Sequence, residues 1–293
     1  MAEGKIIKAL SGFYYVLCDG EIIQCRGRGV FRKHKISPLV GDLVVFQAEN
    51  KTDGYILEIH ERKNELVRPP IANIDQAILV FSAVEPEFSP VLLDRFLVLI
   101  ESKGVSPIII ITKMDLTDDD TKPLIEKYVR DYRDIGYTVI ETSTVTNEGV
   151  AALLPHLEGC TSVIAGQSGV GKSSLLNALR PDLQLKTNDI SAHLGRGKHT
   201  TRHVELLEIG GGLVADTPGF SSLEFIDIEQ DELSQCFPEF RVLSQECKFR
   251  GCTHIAEPKC AVKSAVERNE VQMYRYEHYL SFMEEIKERK PRY

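Results

Sequence analysis

The chain has 293 residues, of which 43% are hydrophobic and 27% are charged. This length suits about two domains and a smaller module, and the balance is that of a globular protein. No apolar run in the sequence approaches the ~18 residues of a membrane span, and the first ten residues lack the pattern of a signal peptide. We therefore expect a cytoplasmic protein with no membrane partner. The net charge of −8 argues against a surface that coats nucleic acid as a whole, although it is compatible with local basic patches.

Short strands dominate the first 67 residues. Two stretches rich in β-forming side chains flank Asp19-Gly20, which is a hairpin turn signal, and residues 43–46 and 55–59 have the same composition. A closed barrel protects the edges of such strands, and an oligonucleotide-binding (OB) barrel fits the size. The strand count alone fits an SH3-like barrel equally well.

A charged segment that ends in Pro69-Pro70 predicts a linker, and after it buried strands alternate with helices. The run of four isoleucines at residues 108–111 is typical of a parallel strand buried on both faces. This alternation predicts an α/β domain with a largely parallel sheet. The predicted strands cover residues 74–83, 108–111, 137–140, 163–165, 206–209 and 213–215, and the predicted helices cover residues 91–104, 123–135 and 174–179.

One of these strands leads directly into a complete phosphate-binding loop that is followed by a helix. Its glycines allow backbone N–H groups to turn toward phosphate oxygens, and the helix N-terminus points at the same anion. Lys172 is expected to reach the β- and γ-phosphates of a nucleotide, and Ser173 to bind magnesium. The loop and the residue after it are Gly166, Gln167, Ser168, Gly169, Val170, Gly171, Lys172, Ser173 and Ser174.

A second nucleotide motif follows the isoleucine strand, because Thr112-Lys113-Met114-Asp115 has the guanine-reading N/T-K-x-D form. The Asp115 carboxylate can accept hydrogen bonds from N1–H and the 2-amino group of guanine. Adenine offers neither donor and would leave a buried carboxylate unpaired. Lys113 is expected to pack along the base plane. Ser143 matches the element that reads the base next, although a serine after a strand is also an ordinary turn residue.

The order of these motifs is unusual, because the guanine-reading element of an ordinary GTPase follows the phosphate loop and here precedes it. Farther along, Asp216 and Gly219 have the D-x-x-G form, with the aspartate expected behind magnesium and the Gly219 N–H facing the γ-phosphate. This order predicts a circularly permuted GTPase whose second switch is joined directly to the C-terminal segment. We therefore expect γ-phosphate contacts to reorient that segment.

The hydrolytic residue departs from the usual pattern, since Phe220 stands where Ras-type GTPases place a glutamine that orients water. Unaided hydrolysis is therefore expected to be slow. His199, in the basic segment 195–203, is the candidate for positioning the water, and a contact to phosphate or RNA is an equally weighted alternative. The predicted magnesium ligands are Ser173, Thr200 or Thr201, and Asp216.

Three cysteines and a histidine cluster near the C-terminus with the spacing C-x4-C-x-H-x5-C. Three thiolates and one imidazole would complete a closed tetrahedral zinc site with no open position, so the predicted role is structural. The alternative is a set of free thiols, which we expect for the four other cysteines. Helices are predicted around residues 261–267 and 271–287, and the tyrosines of the second are expected in the core. The predicted zinc ligands are Cys247, Cys252, His254 and Cys260.

Together these features resemble the RsgA (YjeQ/YloQ) family of bacterial GTPases of small-ribosomal-subunit biogenesis. The likeness covers the barrel, the permuted order, the segment 195–201, and the cysteine cluster followed by Glu257-Pro258. The resemblance implies an OB barrel that contacts ribosomal RNA, hydrolysis stimulated by the small subunit, and a zinc module that also contacts it. It also implies a hydrophobic residue in place of the glutamine and favours His199 as the hydrolytic residue. Thr112 departs from the commoner asparagine, and Lys259 from an expected glycine.

The expected function is therefore that of a GTP hydrolase that acts as a late assembly factor of the small ribosomal subunit and binds its rRNA. Hydrolysis stimulated by the subunit is expected to release the protein from it. One structural zinc ion, magnesium with GTP, and a monomeric state are expected. The expected units are an OB barrel over residues 1–67, a permuted GTPase domain over 68–222 and a helical zinc module over 223–293. The run 26–35 contains no acidic residue, and taken alone it would be interpreted as a solvated loop. Together with the resemblance it becomes the candidate RNA contact, with Arg26, Arg28, Arg32, Lys33 and Lys35.

Three alternatives stay open. A nucleotide-gated RNA-binding module whose hydrolysis is incidental would carry the same motifs. Another permuted GTPase, such as one that matures the large subunit, would share their order, although the barrel and the cysteine cluster argue against it. A P-loop ATPase is disfavoured by Asp115.

Overall fold

The computed structural model describes residues 1–27, 31, 36–67, 69–183, 185, 204–216 and 223–289. The pairings among strands β1 to β5 close the N-terminal part of the chain into a barrel. β1 pairs with both β2 and β4, and β3 runs parallel to β5, which completes the ring. This five-stranded ring is the OB-type barrel that the sequence predicts, so the SH3-like alternative falls away. The strands are β1 Ala2–Leu10, β2 Phe13–Cys18, β3 Glu21–Gly27, β4 Leu43–Ala48 and β5 Gly54–Ile59.

The segment predicted as a linker is folded onto the barrel. β6 Glu65–Val67 and β7 Pro70–Ala72 form an antiparallel hairpin, and Ile71 in its second strand is fully buried. Its charges are paired as well, since Arg62 Nε lies 2.7 Å from Oδ1 of the buried Asp42. The linker prediction is therefore wrong, because composition showed the charges but not their partner in the barrel.

Beyond this hairpin, six strands form the sheet of the α/β domain. Their spatial order is β10-β9-β8-β11-β13-β12, and all neighbours are parallel except β12 and β13. β8 and β11 are buried along their whole length, as expected at the centre of a sheet covered on both faces. The predicted, largely parallel α/β domain is confirmed. The strands are β8 Gln76–Ser82, β9 Ser106–Thr112, β10 Thr138–Glu141, β11 Thr161–Ala165, β12 Glu205–Ile209 and β13 Gly212–Asp216.

Helices pack on both faces of this sheet. α1 Pro90–Glu101 and α2 Thr121–Ile135 cover one face, and α3 Leu154–Leu157 and α4 Lys172–Leu179 cover the other. Ser89 caps the N-terminus of α1, because its hydroxyl oxygen accepts a hydrogen bond from the backbone N–H of Leu92 at 3.4 Å. Short 3-10 turns occupy Met114–Leu116, Val150–Leu153 and Pro181–Leu183.

The C-terminal residues form a helical module with a core of its own. Phe237, Phe240, Tyr279 and Phe282 are fully buried in that core. The expectation that the tyrosine-bearing helix packs inward is confirmed. Among the helices that the structure describes, none combines the length and the apolar character needed to cross a membrane. The module contains α5 Pro238–Leu243, α6 Ala261–Glu267 and α7 Met273–Glu288, with 3-10 turns at Leu233–Cys236 and Ser244–Glu246.

Candidate nucleotide site and zinc centre

The phosphate-binding loop joins β11 to α4 at the carboxyl edge of the sheet. Gly166 and Gly171 have φ angles of +144° and +93°, which residues with a side chain rarely adopt. At Gly166 a Cβ would also lie 2.1 Å from the Val80 carbonyl oxygen, so the loop can approach β8 only with glycine there. The loop therefore has the unobstructed backbone that phosphate binding through N–H groups needs.

Lys172 and Ser173 are the first two residues of α4, and both are largely buried. The Lys172 ammonium donates hydrogen bonds to the carbonyl oxygens of Gly166 and Gln167, at 2.7 and 2.5 Å. It lies folded across the loop, where the phosphates of a nucleotide are expected. Ser173 stands in the first turn of the helix, the place from which a P-loop serine binds magnesium.

Thr112 ties the guanine-reading motif to the phosphate loop. It is 2% exposed, and its hydroxyl oxygen lies 2.5 Å from the Val170 carbonyl oxygen and 3.1 Å from that of Phe81. One short side chain thus contacts the phosphate loop and β8 at once. Thr112 therefore links the guanine-reading motif to the phosphate loop and to β8, at a position where the resemblance favours an asparagine.

Lys113 and Asp115 have different surroundings. Lys113 adopts the left-handed backbone conformation, with φ of 59°, and its ammonium donates a hydrogen bond to the Glu85 carbonyl oxygen. The Asp115 side chain is exposed and accessible to a ligand. The buried Ser143 shapes the loop after β10, because its hydroxyl oxygen accepts hydrogen bonds from two backbone N–H groups at 3.2 and 3.1 Å. The roles of all three side chains toward a nucleotide stay predictions.

Other predicted site residues are described only in part. Asp216 ends β13, whose parallel neighbour β11 leads into the phosphate loop, so its backbone lies at the expected edge of the sheet. Arg26 is exposed on β3, with its guanidinium carbon 5.0 Å from the centre of the Phe13 ring. Outside the described residues lie His199, Thr200, Thr201, Gly219 and Phe220, which the sequence associates with hydrolysis, and Arg28, Arg32, Lys33 and Lys35 of the basic run.

One segment of the site was not predicted from the sequence: residues 83–88, which we call the β8 loop. Because β8 lies between β9 and β11, this loop emerges between the guanine-reading motif and the phosphate loop. It contacts the first through the bond from Lys113 to Glu85. It approaches the second closely, since a Cβ at Gly169 would lie 3.9 Å from Pro86 Cδ. The turn-prone pair Glu85-Pro86 after a buried strand was the available signal.

The four predicted zinc ligands converge in the C-terminal module. Their ligand atoms all lie within 4.8 Å of one another. His254 Nδ1 lies 3.3 Å from Cys260 Sγ and 3.7 Å from Cys247 Sγ, and the two sulfurs are 4.0 Å apart. A tetrahedron around zinc, with Zn–S near 2.3 Å and Zn–N near 2.0 Å, has edges of about 3.5–3.8 Å. The residues therefore fit a closed zinc site, with Nδ1 as the histidine ligand.

The segment that carries His254 is held from two sides. The Glu257 carboxylate accepts hydrogen bonds from the backbone N–H and the hydroxyl of Thr253, both at 2.7 Å. Burial alone would raise the pKa of Glu257, but the hydrogen bonds outweigh it and lower that pKa to about 2. From α7, Tyr276 and Tyr279 donate hydrogen bonds to the carbonyl oxygens of His254 and Thr253, both at 2.7 Å. The ligand geometry is thus fixed by the packing of the module.

A buried charge cluster, also missed from the sequence, joins the module to α1. Asp94 of α1 accepts hydrogen bonds from Arg275 Nη1 at 2.5 Å and from the Tyr132 hydroxyl at 2.6 Å, and His278 Nδ1 lies 2.6 Å from its second oxygen. Arg275 Nε also donates to Glu239 at 2.8 Å. Burial alone would lower the pKa of Arg275, but the two carboxylates outweigh it and hold that pKa well above its usual value. A lone aspartate in an apolar helix was the signal.

Comparisons with known proteins bear on both parts of the site. A model of the RsgA GTPase family matches residues 59–226, and a model of the RsgA N-terminal domain matches residues 3–56. Two curated relatives are named small ribosomal subunit biogenesis GTPase RsgA. The relative from Geobacillus sp. (strain WCH70) is 75% identical and that from Bacillus anthracis 69% identical, each match covering 100% of both chains.

Two solved structures are similar along the whole chain. One is that of YloQ, described as a circularly permuted GTPase, with 60% identity, a TM-score of 0.87, and coverage of 100% of this chain and 97% of that one. The other is YjeQ from Thermotoga maritima, with 39% identity, a TM-score of 0.88 and coverage of 99% of each chain. The permuted order inferred from the motifs is confirmed, and the chain belongs to the RsgA family of circularly permuted GTPases.

Proposed function

We propose that this GTP-hydrolysing enzyme acts as an assembly and maturation factor of the small ribosomal subunit. The observation that carries the proposal is the combination of a permuted GTPase domain, an OB-type barrel and a three-cysteine, one-histidine group in one chain. The chain shares its full length with relatives named as small ribosomal subunit biogenesis GTPases. The subunit, as the partner that those relatives' name gives, is proposed to stimulate hydrolysis and to be released afterwards.

The nucleotide is proposed to lie where β8, β9 and β11 end. Residues 166–174 bind the phosphates through backbone N–H groups, with Lys172 on the β- and γ-oxygens. The Asp115 carboxylate selects guanine by accepting hydrogen bonds from N1–H and the 2-amino group of the base, and Lys113 packs on the base plane. Ser143 bounds the base from the loop after β10. The common edge of these parallel strands supports this arrangement, because it brings separate segments of sequence to one place.

In GTP hydrolysis the protein contributes mainly by positioning the reactants and by neutralising the charge on the phosphates. Magnesium, which supplies that neutralisation when bound, would be held by Ser173, with Thr200 or Thr201 and Asp216. The Gly219 N–H would face the γ-phosphate.

Because Phe220 cannot orient water, we assign that task to His199. His199→Ala should then lower kcat in the presence of subunits at unchanged affinity for GTP. Weaker subunit binding with unchanged turnover of the bound complex would instead assign His199 to RNA.

One zinc ion is proposed to be held by Cys247, Cys252, His254 and Cys260 in a structural role. The interatomic distances support four protein ligands and no open position. We also propose three units, over residues 1–67, 68–222 and 223–293. The separate core of the C-terminal module supports the second boundary.

The barrel is proposed to contact ribosomal RNA, with the protein acting as a cytoplasmic monomer. Arg26 supports this role, because it is exposed on β3 and its guanidinium can therefore reach a phosphate. Neutralising phosphates with basic side chains releases counterions, so affinity for RNA should fall steeply with salt. The proposed contacts are Arg26, Arg28, Arg32, Lys33 and Lys35.

The experiment that tests the proposal is GTP turnover with and without purified small ribosomal subunits, with large subunits as the control. Strong stimulation by small subunits alone is expected. No stimulation at normal GTP affinity would overturn the ribosomal assignment. Normal release with a non-hydrolysable GTP analogue would favour an RNA-binding module with incidental hydrolysis, and tighter binding of ATP than of GTP would remove the role of Asp115.

A further inference from the structure

We propose that the β8 loop is a positioning element of the guanine site, and that Tyr274 of the C-terminal module sets its position through Tyr128 and Phe88. We call Phe88, Tyr128 and Tyr274 the aromatic row. The inference rests on the proposed role of Lys113 in guanine binding. It adds a determinant of nucleotide affinity that lies outside the pocket, on α7.

The β8 loop is held at its pocket end by Lys113. The backbone of Lys113 has a positive φ of 59°, a conformation that a lysine keeps only where its surroundings fix it. Its ammonium is bound to the Glu85 carbonyl oxygen. A shift of Glu85 would therefore remove the anchor of the side chain that packs on the base. The same shift would change the spacing between Pro86 and the phosphate loop at Gly169.

The other end of the loop is held by the aromatic row. Phe88 is 7% exposed and packs edge-on against Phe81 of β8, with ring centres 6.1 Å apart. Its ring centre lies 5.3 Å from that of Tyr128 in α2, and Tyr128 meets Tyr274 edge-to-face at 5.4 Å and 86°. These separations are within the range of favourable aromatic pairs. Tyr128, and through it Tyr274, therefore helps to hold Phe88 in its position against β8.

Tyr274 in turn is fixed by the C-terminal module. It precedes Arg275, which the buried charge cluster ties to Asp94, and its ring lies 5.6 Å from that of His278 and 5.3 Å from Lys127 Nζ. Its hydroxyl is buried and makes no hydrogen bond within the described part of the chain. The ring rather than the hydroxyl thus carries the contact. Tyr274→Phe is therefore a matched control that keeps the row and removes only an unpaired polar atom.

The consequence is a coupling between the position of α7 against the GTPase domain, which we call its seated position, and the affinity for guanine nucleotides. Displacement of α7 loosens the β8 loop and with it Lys113. By linkage, a bound guanine base that fixes Lys113 stabilises the seated position of α7 by the same factor. This route runs through residues 83–88 and differs from the one through the second switch, because it needs no γ-phosphate.

The test is a double-mutant cycle on affinity for a fluorescent GDP, since GDP lacks the γ-phosphate. Tyr274→Leu in the zinc-loaded full chain is expected to weaken GDP binding about three- to tenfold, the equivalent of one aromatic pair. In the Lys113→Ala background the same change is expected to have less than about a twofold effect, because the anchor is already absent. Tyr274→Phe is expected to leave the affinity unchanged.

Two controls make the outcome decisive. Phe240→Leu removes a buried aromatic ring within the module and away from the row, so it should leave GDP affinity unchanged. An equal loss with Phe240→Leu, or an equal loss from Tyr274→Leu in both backgrounds, would overturn the inference. If Tyr274→Leu does not fold, as judged by zinc content and melting, Phe88→Leu replaces it in the cycle. Unchanged GDP affinity in Lys113→Ala alone would remove the proposed guanine contact itself, and would thus separate that failure from failure of the row.

Discussion

The barrel and the C-terminal module are joined to the GTPase domain by different kinds of contact. The barrel shares one continuous apolar core with the domain and adds a single strand pair, in which Lys8 and Glu205 form a 2.9 Å salt bridge with side chains 32% and 42% exposed. The module has its own core, which includes Val98 of α1, and is joined in addition through the buried charge cluster, in which the side chains of Asp94 and Arg275 are 0% and 1% exposed.

This difference indicates how freely each region can be reoriented. Apolar burial has no direction and tolerates small rotations, whereas a buried ion pair is stable only while both partners keep their geometry. The module is therefore expected to move together with α1 or not at all. The expected reorientation by γ-phosphate contacts, if it occurs, has to carry α1 with it.

Removal of the metal should unfold the C-terminal module while the barrel stays folded, and should have the largest effect. Structural zinc contributes about 10–16 kcal/mol in small zinc-dependent modules, so Cys252→Ser or a strong chelator should unfold the module. Hydrogen exchange should become fast in α6 and α7 and stay slow in the barrel strands. Slow exchange in α6 and α7 after verified loss of zinc would contradict a structural role of the metal.

The charge cluster should give the next largest effect. Asp94→Ala leaves the Arg275 guanidinium buried without its main partner and should lower the free energy of unfolding by about 3–5 kcal/mol. The loss can be measured by denaturant titration. Asp94→Leu combined with Arg275→Met should recover only part of it, because the apolar pair removes two buried charges but leaves the Glu239 carboxylate without its Arg275 partner. A single-variant loss below about 1 kcal/mol would show that the cluster is hydrated rather than buried.

The apolar junction of the barrel should respond more weakly and without a geometric requirement. Ile71 is fully buried beside the barrel, so Ile71→Val should lower the free energy of unfolding by about 0.5–1.5 kcal/mol through one lost methylene. Exchange in α7 should stay the same. If the module is loosened as well, the two junctions are coupled and the comparison fails.

The exposed pair at the barrel junction should have the smallest effect. Lys8→Ala, Glu205→Ala and the double variant should give an interaction free energy of about 0.2–1 kcal/mol that vanishes in high salt. Thermal melting at two salt concentrations measures it. An effect as large as that of Asp94→Ala would mean that the strand pair, rather than the shared core, holds the barrel in place.

The sequence predicts the features whose residues are close together along the chain. The phosphate loop at residues 166–173 and the cysteine cluster each have a spacing dictated by the ligand, so a short window contains the whole chemical requirement. Strand and helix positions follow for the same reason, because periodicity is a local property. The motif order then gives the permuted topology directly.

The features that could not be predicted depend on residues far apart. Asp94 and Arg275 are separated by 181 positions, and Arg62, before the hairpin of β6 and β7, pairs with Asp42 of the barrel. Asp94 stands out as an aspartate in an apolar helix, but neither its partner nor that of Arg62 can be identified until the fold brings the residues together. The β8 loop was missed because its importance comes from lying between two motifs, which is a property of the strand order and not of its own residues.

The pairing of β1 with β12 also dictates an order of events during synthesis. β1 leaves the translating ribosome before β12, and Glu205 follows Lys8 by 197 positions. The ring of β1 to β5 needs only the first 59 residues, so it can close long before that partner exists. The parallel sheet gains β13 and the end of the nucleotide site later still. A nascent chain is therefore expected to carry a finished barrel while the residues up to β12 are still being made, and to complete its nucleotide site only after β13 has followed.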